Sequence, residues 1–402
     1  MAQLQLGHRL QLLQGGEAFF PALIEAIDAS VHEVRMETYI FNAEGSGALV
    51  AAALERAAVR GVVVNLVMDG VGTPALDQHW RSRFQAAGVV WQIFAPMGRF
   101  GLLIPSRWRR LHRKLCVVDG QVAFCGGVNV LDDFFDPNHG ALSLPRLDFS
   151  VRVTGPLVQE VHAVLAQFWW RLQAVRTAQQ IDLRATWQAL HQAGAQALAA
   201  QSPGPARASA AGARAALLLR DNLRHRAQIE RAYRKAIGEA TREIIIANAY
   251  FLPGRKLRSS LIHAARRGVR VRLLLQGRYE YFMQYHAARP VYGVLLAAGV
   301  EIHEYSVSFL HAKVAVIDSR WATVGSSNLD PLSLLLAREA NVVVEDPTFA
   351  RELRTQLEQA IELGGVRVDP KTYADRSWRL RLLDRVAFGL MRLALFLTGN
   401  RY

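Results

Sequence analysis

The feature that most constrains the fold of this 402-residue chain is an internal repeat. Residues 111–129 read LHRKLCVVDGQVAFCGGVN, and residues 310–328 read LHAKVAVIDSRWATVGSSN. Such a repeat predicts two similar units that bury a common surface. One offset of 199 residues, without a gap, relates five matched pairs: His112 and His311, Lys114 and Lys313, Asp119 and Asp318, Gly126 and Gly325, Asn129 and Asn328.

The segments upstream of each motif repeat as well. VHEVRMETYIF at 31–41 matches TREIIIANAYF at 241–251, and each follows one helical pattern and precedes another. Gly61 and Gly268 fit the ends of the second helices, where a left-handed residue is favoured. The order helix, strand, helix, strand, helix, strand and motif strand predicts an α/β fold with a largely parallel, mixed sheet.

These patterns divide the chain into two similar α/β/α halves and two further segments. We expect the halves to pack as one pseudo-two-fold catalytic unit, because each motif supplies half of the side chains that the chemistry needs. The Ala- and Gln-rich connection contains a Ser-Pro-Gly-Pro break at 202–205, which predicts a loop or linker. The predicted boundaries are 7–170 for the first half, 171–215 for the connection, 216–370 for the second half and 376–398 for an amphipathic C-terminal helix.

Composition excludes several classes of protein. Hydrophobic residues form 51% of the chain and charged residues 20%, which excludes an intrinsically disordered chain. With only two cysteines, Cys116 and Cys125, a disulfide scaffold is excluded and a reducing compartment is favoured. A net charge of +14 favours polyanionic partners: nucleic acid, an anionic membrane or phosphorylated small molecules. Neither a signal peptide nor an apolar stretch of about 18 residues is visible, so we expect the chain to stay in the cytosol.

The residue types of the motif suit phosphodiester transfer. Side chains alternate along a strand, so the histidine and lysine of His-x-Lys share one face. Lys114, Lys313, Asn129 and Asn328 are candidates for holding the phosphate oxygens. One histidine is expected to attack phosphorus, while the other protonates the leaving alkoxide and then deprotonates the incoming alcohol. We expect no metal and no cofactor, because the lysines supply positive charge and no metal-ligand spacing lies nearby.

Four carboxylates are assigned to the motifs. Asp119 and Asp318 end the motif strands, where turn and orientation roles are more typical than a direct acid role. Each histidine also needs a carboxylate on its other ring nitrogen. Asp148 and Glu339 are the candidates, each expected to serve the histidine of its own half. They follow those histidines by 36 and 28 residues and so depart from the fixed offset.

The pattern His-x-Lys-x4-Asp-x6-Gly-x-x-Asn, present twice, resembles the phospholipase D superfamily. Segments 248–277 and 309–346 resemble the bacterial cardiolipin synthases, and the lack of N-terminal spanning helices makes the cardiolipin synthase B type the nearest. The resemblance covers about residues 7–398 and matches the Ala-rich connection poorly. It implies transfer of a phosphatidyl group from one phosphatidylglycerol to another, with release of glycerol, through a phosphatidyl-histidine intermediate.

The resemblance also implies roles and a location. It makes His112 the nucleophile and His311 the acid and base, an assignment that the symmetric motifs leave open. It implies a peripheral enzyme on the cytoplasmic face of the bacterial inner membrane. The copies differ at one position, where Gly127 stands in the first and Ser326 in the second, so a hydroxyl contact is expected on one side only.

Other functions stay open at this point. A phospholipase D would use water as acceptor, and a nuclease of the same superfamily would also suit the charge of +14. A catalytically idle binding module is disfavoured by two intact motifs. The amphipathic terminus, without a recognisable nucleic-acid-binding module, favours an anionic phospholipid membrane as partner rather than nucleic acid. Phosphatidylglycerol is the expected substrate, and phosphatidylethanolamine is an alternative donor or co-substrate.

Three further segments each have two interpretations. In 378–397, the leucine side of a predicted helix either docks on the core or lies on an anionic membrane, opposite a stripe of arginines. The arginines of 107–113 form either a solvated loop or a rim that gathers anionic head groups. Tyr250 and Phe251 end a strand and either pack in the core or line a lipid-chain channel. The members of the helix faces are Leu382, Val386, Leu390, Leu393 and Leu397 on one side and Arg381, Arg385 and Arg392 on the other.

Overall fold

The structure is a computed structural model that describes residues 3–73, 75–98, 101, 104–201, 212–221, 225, 227–279, 282–330 and 337–397. Both halves alternate helices and strands, as the repeat predicts. The elements of the first half and the connection are β1 (Gln5–Gln14), α1 (Gly15–Asp28), β2 (Glu33–Thr38), α2 (Ser46–Val59), β3 (Val63–Asp69), α3 (Gln78–Ala87), β4 (Val90–Phe94), a 3₁₀ turn (Pro105–Trp108), β5 (Arg110–Leu111), β6 (Leu115–Val118), β7 (Val122–Gly126), β8 (Phe135–Asp136), β9 (Gly140–Ala141), β10 (Phe149–Thr154), α4 (Leu157–Gln179) and α5 (Leu183–Gln201).

The second half repeats this order and adds one strand and two helices at its end. Its elements are β11 (Ala213–Arg220), α6 (Gln228–Glu239), β12 (Glu243–Asn248), α7 (Arg255–Arg266), β13 (Arg270–Gln276), α8 (Phe282–Leu296), β14 (Glu301–Tyr305), β15 (Lys313–Ile317), β16 (Trp321–Gly325), β17 (Ala337–Glu345), α9 (Pro347–Gly364), β18 (Gly365–Arg367), α10 (Pro370–Ala374) and α11 (Trp378–Leu397). Gly61 and Gly268 follow the second helices with φ of 90° and 87°, as their C-cap positions predict.

One continuous sheet of sixteen strands, counted over the described residues, runs through both halves. From its centre outward, the first half follows the order β1-β10-β7-β6-β2-β3-β4, and the second follows β11-β17-β16-β15-β12-β13-β14. The two halves join where β1 pairs antiparallel with β11. Sequence analysis missed both of these central strands. Because backbone hydrogen bonds cross the boundary, the halves form one unit.

The sheet is mixed for a reason that the chain connections explain. β2, β3 and β4 are parallel, because α2 connects β2 to β3 and α3 connects β3 to β4, and each helix returns the chain to the edge where the previous strand began. β6, β7 and β10 are antiparallel, because a tight turn joins the motif strand to its return strand. Asp119 and Gly120 in this turn have φ of 50° and 60°, and Asp318 and Ser319 have φ of 52° and 53° in the second copy.

A shared hydrophobic core packs the motif strands of the two halves against each other. Apolar side chains of both halves form one buried cluster beneath the motif strands. Either half alone would leave this surface exposed to water, which makes separate folding unfavourable. Members from the two halves include Val117, Val151 and Leu165 on one side and Val314, Val342 and Leu353 on the other.

The connection differs from its prediction as a loop. α4 and α5 form a helical hairpin across most of 171–201. Alanine, leucine and glutamine are strong helix formers, so the local propensity outweighs the low complexity of this stretch. The turn between the two helices places Ile181 at a φ of 61°. The Ser-Pro-Gly-Pro break at 202–205 lies outside the described residues.

Candidate active site

The two motifs meet because each half adds a short segment to the other. β5, directly before His112, pairs in parallel with the start of β17. In the same way, Leu147 directly before β10 bridges to Leu310 directly before His311. The backbone N–H of His112 donates to the carbonyl of Arg338 at 3.0 Å, and that of His311 donates to Leu147 at 2.9 Å. These reciprocal contacts bring both histidines to the boundary between the halves.

Each histidine is paired with the carboxylate of the opposite half. Nδ1 of His112 lies 3.0 Å from Oε2 of Glu339, and Nδ1 of His311 lies 2.6 Å from Oδ2 of Asp148. The prediction that each carboxylate serves the histidine of its own half is therefore wrong. The reason is the crossed strand pairing, because Glu339 and Asp148 each follow the residue that is bonded to the other half's histidine backbone.

These pairs set the tautomer of both imidazoles. A carboxylate only accepts hydrogen bonds, so Nδ1 of His112 and of His311 carries the proton and Nε2 is available for chemistry. The imidazole side chains keep 15% and 24% of their surface exposed, while their carboxylate partners are buried. A substrate can therefore reach the histidines, whereas water cannot easily reach Glu339 or Asp148.

The lysines of the motifs lie beside the histidines. Nζ of Lys114 donates to the carbonyl of His112 at 2.8 Å, and Nζ of Lys313 donates to the carbonyl of His311. Both lysines are buried. Burial lowers the pKa of Lys114 to about 7, and the nearby Lys313 also lowers it, although Glu339 opposes the shift. The two ammonium groups repel each other. An anion bound between them relieves this repulsion, so the pair favours anion binding.

Lys114 leads to a prediction about pH. Because its pKa is about 7, this lysine loses its charge as the pH rises through 7. A bound phosphodiester favours the charged form, so KM for an anionic substrate should rise by up to about tenfold per unit above pH 7. The measurement is KM and kcat from pH 6 to 9 in micelles at constant ionic strength. A KM that is flat over this range, with kcat alone changing, would contradict the assignment.

Both imidazoles are neutral at pH 7, because the pKa of each lies below its ordinary value. Burial lowers the pKa of His112, and Lys114 lowers it further, although Glu339 opposes the shift. Burial together with Lys313 and Lys114 lowers the pKa of His311 well below its ordinary value. A histidine must be neutral to attack phosphorus, so this state is suited to the nucleophile.

The two histidine–carboxylate pairs are not equivalent. The hydroxyl of Ser326 donates to Oε2 of Glu339 at 2.5 Å, whereas a Cβ at Gly127 would lie only 2.1 Å from Oδ1 of Asp148. The expected one-sided hydroxyl contact is therefore present. Burial would raise the pKa of Glu339, but His112, Lys114 and the Ser326 hydroxyl hold it below its ordinary value. Burial raises the pKa of Asp148 to about 6.

The motif aspartates lie at the far ends of their strands from the histidines. Asp119 accepts three backbone N–H groups from residues 31–33, each at 2.8 Å. Asp318 accepts the equivalent three from residues 241–243 at 2.8 Å. Burial would raise the pKa of both, but these amides hold it below the ordinary value. Both aspartates fasten the motif strand to β2 or β12, which is a structural role.

The motif asparagines, Asn129 and Asn328, are buried. Oδ1 of Asn129 accepts the N–H of Ile40 at 3.2 Å, which leaves its amide nitrogen as the donor side. Asn328 follows Ser326 at the equivalent place in the second copy. Among the residues that the structure describes, no group of three or more histidine, cysteine, aspartate or glutamate side chains is arranged to hold a metal.

Sequence analysis missed an aromatic neighbour of the first motif. The Tyr39 ring lies 5.0 Å from the His112 ring, and Nζ of Lys114 lies 5.4 Å from the tyrosine ring centroid. Its counterpart in the aligned segments is Ala249. This replacement of a tyrosine by an alanine was visible in the repeat, but its consequence depends on the packing around each site.

Two of the arginines near the first motif are structural. Arg110 forms an ion pair with Asp69 at 3.0 Å, and Arg113 forms a buried ion pair with Glu37 at 2.7 Å. The interpretation of all four as a head-group rim is therefore wrong for these two. Arg109 is exposed and fits either interpretation.

Comparison with known proteins identifies the family. A family profile described as "Cardiolipin synthase, PLD-like domain" matches residues 23–169 and 233–361, one match for each half. The chain belongs to the phospholipase D-like family. This confirms the resemblance that the doubled motif indicated.

Members of the phospholipase D-like family resemble the chain over nearly its whole length. Cardiolipin synthase B of Salmonella typhi is 38% identical over 386 residues, which cover 96% of this chain and 88% of that protein. Cardiolipin synthase B of Escherichia coli (strain K12) is 37% identical over 388 residues, with the same coverage. The crystal structure of phosphatidylserine synthase from Haemophilus influenzae Rd KW20 shares the fold, with a TM-score of 0.65 and 13% identity over 98% of this chain and 96% of that one.

Proposed function

We propose that this chain is a phosphatidyltransferase that joins two phosphatidylglycerol molecules to give cardiolipin and glycerol. The observation that carries the proposal is the pair of crossed histidine–carboxylate contacts, flanked by two buried lysines, in a chain 37–38% identical to proteins named cardiolipin synthase B. A site with two imidazoles and two ammonium groups suits a phosphodiester, which is singly charged and gains charge on its oxygens during attack.

The reaction divides into two displacements at one phosphorus. In the first, Nε2 of His112 forms a bond to phosphorus, and the bond to the glycerol oxygen breaks as His311 gives that oxygen a proton. In the second, His311 takes the proton from a hydroxyl of another phosphatidylglycerol, whose oxygen attacks phosphorus and releases His112. Lys114 and Lys313, with the two asparagines, hold the non-bridging oxygens throughout.

Protonation of His311 is coupled to substrate binding. Burial and the two lysines lower the pKa of His311. A phosphodiester between the lysines brings a negative charge, which favours the imidazolium form of His311. The carboxylate of Glu339 stabilises the positive charge that develops on the His112 imidazole as the bond to phosphorus forms. The Ser326 hydroxyl keeps Glu339 ionised, which supports His112 rather than His311 as the nucleophile.

Product identification tests the proposal. Labelled phosphatidylglycerol in detergent micelles should give cardiolipin and glycerol, with and without EDTA, because the lysines supply the positive charge. Phosphatidic acid as the sole product would identify a hydrolytic phospholipase D. Parallel reactions with added phosphatidylethanolamine determine whether it serves as donor or co-substrate. An enzyme that leaves every phospholipid intact and cleaves nucleic acid would overturn the proposal.

We further propose that α11 attaches the enzyme to the cytoplasmic face of the inner membrane. One face of this helix docks on the protein: Asp384, Ala387 and Met391 are buried, and Asp384 accepts from Nδ1 of His286 on α8 at 2.7 Å. A second, apolar face stays uncovered, with Leu382, Val386, Leu390 and Leu393 each 49–53% exposed. The side chain of Leu397 lies outside the described residues.

The uncovered leucine face favours a lipid surface as its partner. Exposed apolar stripes of this kind mark interaction sites, and the substrate itself is a lipid. Arg381, Arg385 and Arg392 are exposed on the same helix and complement anionic head groups. Thus docking on the core and contact with a membrane involve different faces of α11. Within the described residues, no helix has the length and hydropathy to span a bilayer.

Charge reversal on α11 should weaken membrane binding. Each arginine near an anionic surface contributes about 1 kcal/mol, so R381E/R385E/R392E should lower binding to anionic vesicles by well over tenfold. Binding should also fall with added salt. Co-sedimentation with vesicles of phosphatidylglycerol measures the effect.

A control with the same change in net charge distinguishes the contribution of α11 to vesicle binding from that of the protein's overall charge. Arg255, Lys256 and Arg266 are exposed on α7, and their replacement by glutamate should weaken binding much less. Equal binding of the α11 variant and the parent would show that the helix only braces the fold.

A further inference from the structure

A pocket opens beside the second motif. Its wall comes from the ends of β12 and β13, from α8 and from Met391 of α11. It is connected to the histidine segment by two hydrogen bonds. The N–H of Ala249 donates to the carbonyl of Ala312 at 3.0 Å, and Oε1 of Gln276 accepts the N–H of Leu310 at 3.2 Å. Ala249 and Gln276 line the pocket, and Leu310 and Ala312 flank His311.

The residues aligned by the repeat differ at this place in the two halves. In the first half, the ring of Tyr39 lies against His112 and Lys114. In the second half, the aligned residue is Ala249, which lines the pocket with Tyr250 and Phe251. The pocket therefore lies against the backbone on both sides of His311, whereas in the first half a tyrosine ring lies against His112 itself.

The lining combines an apolar wall with polar groups suited to an anion. Apolar side chains include Phe251, Leu252, Leu275 and Met391. Gln276 contributes a buried Nε2 that has no hydrogen-bond partner among the described residues. The remaining polar residues of the lining are Arg278 and Arg289, three tyrosines (Tyr250, Tyr285 and Tyr292) and one carboxylate, Asp330.

The positive charge of the Arg278 guanidinium is available to bind an anion. Its Nε and Nη2 donate to the carbonyls of Ser306 and Val307 at 2.9 and 2.8 Å. These contacts orient the guanidinium without neutralising it, because a carbonyl carries no net charge. Arg289, by contrast, forms an ion pair with Glu304 at 2.8 Å. Arg278 is thus the better placed of the two to bind a phosphate.

In-line displacement determines which substrate such a pocket can serve. The nucleophile and the leaving oxygen lie on opposite sides of phosphorus. With His112 as the nucleophile, the leaving glycerol and the incoming hydroxyl both lie on the side of His311. The leaving glycerol is small and uncharged, whereas the incoming phosphatidylglycerol carries a second phosphate and acyl chains. A pocket with a cation and an apolar wall is suited to the incoming lipid.

We propose that this pocket is the acceptor site, where Arg278 binds the phosphate of the second phosphatidylglycerol, Gln276 donates to its glycerol and the apolar wall holds part of an acyl chain. This inference rests on the proposed function, because only a transferase needs a lipid acceptor. The pocket's place next to His311 allows the bound glycerol hydroxyl to give its proton to that histidine.

The partition of the phosphatidyl-enzyme between two acceptors tests the proposal. Cardiolipin and phosphatidic acid arise from the same intermediate, by transfer to lipid and to water. Their ratio therefore does not depend on the fraction of enzyme that is folded. A249Y places in the second half the side chain that the first half carries, A288F fills the pocket from α8, and R278Q removes the charge. Each should lower the ratio of cardiolipin to phosphatidic acid by at least about tenfold, as the loss of a charged hydrogen bond implies.

Matched variants separate the pocket from general effects. R278K should restore part of the ratio. A232F enlarges a side chain in a separate groove, lined also by Leu218 and Trp321, and should leave the ratio unchanged. An unchanged ratio in A249Y, A288F and R278Q would overturn the acceptor site, even if total turnover falls. If the parent enzyme forms phosphatidic acid and no cardiolipin, the proposed function itself fails.

Discussion

Replacing His112 with alanine is expected to abolish cardiolipin formation and the covalent phosphatidyl-enzyme. The proposed mechanism assigns the bond to phosphorus to Nε2 of His112, which alanine lacks. His311→Ala should instead slow both displacements by ~10²–10⁴-fold, because it removes proton transfer while the nucleophile is still present. The measurement is acid-quenched trapping of labelled lipid on the protein, together with steady-state turnover.

The two histidine variants also show which histidine is the nucleophile. The intermediate should accumulate in the His311 variant when the donor carries a good leaving group, since such a donor needs no proton. Labelled lipid on His311 in the His112→Ala protein would reverse the assignment. It would also remove the basis for placing the acceptor pocket beside His311.

Replacing the carboxylates is expected to affect the histidines of the opposite halves. Glu339→Gln should impair the step that His112 performs, and Asp148→Asn the proton transfers that His311 performs. The amide side chain no longer selects the tautomer with a proton on Nδ1 and no longer stabilises the imidazolium form. In a serine protease, the same change in a histidine's carboxylate partner lowers kcat by about 10⁴-fold, which is the upper limit expected here.

Trapping experiments distinguish the crossed arrangement from the uncrossed one. Glu339→Gln should suppress formation of the phosphatidyl-enzyme, while Asp148→Asn should permit it with a donor that has a good leaving group. The opposite pattern would mean that each carboxylate serves its own half. Glu345→Gln is a matched control on the same strand, because Glu345 forms only a partly exposed ion pair with Arg214 at 3.2 Å. This substitution should change turnover less than twofold.

Ser326→Ala removes one hydrogen bond to Glu339 and should lower turnover about tenfold.

Local sequence patterns determined much of the secondary structure of this protein and which motif side chains share a face. Alternating helices and strands predict the parallel part of each half, because that alternation is encoded in hydrophobic periodicity. The turn at Asp119 and Gly120 predicts the antiparallel return strand, since both residues accept a positive φ. The doubled His-x-Lys motif predicts which side chains share a face, because strand alternation is a local property.

The tertiary structure alone decided how those side chains are combined. Glu339 reaches His112 across 227 residues and Asp148 reaches His311 across 163, because β5 and Leu147 each pair with the opposite half. Strand register between halves depends on the whole packed sheet, and no local pattern encodes it. The same holds for α11, whose docking face could not be chosen from its periodicity. A helical projection shows which residues share a side, but burial depends on the surface that the rest of the chain presents, and here Asp384 meets His286 of α8 while the leucines remain outside.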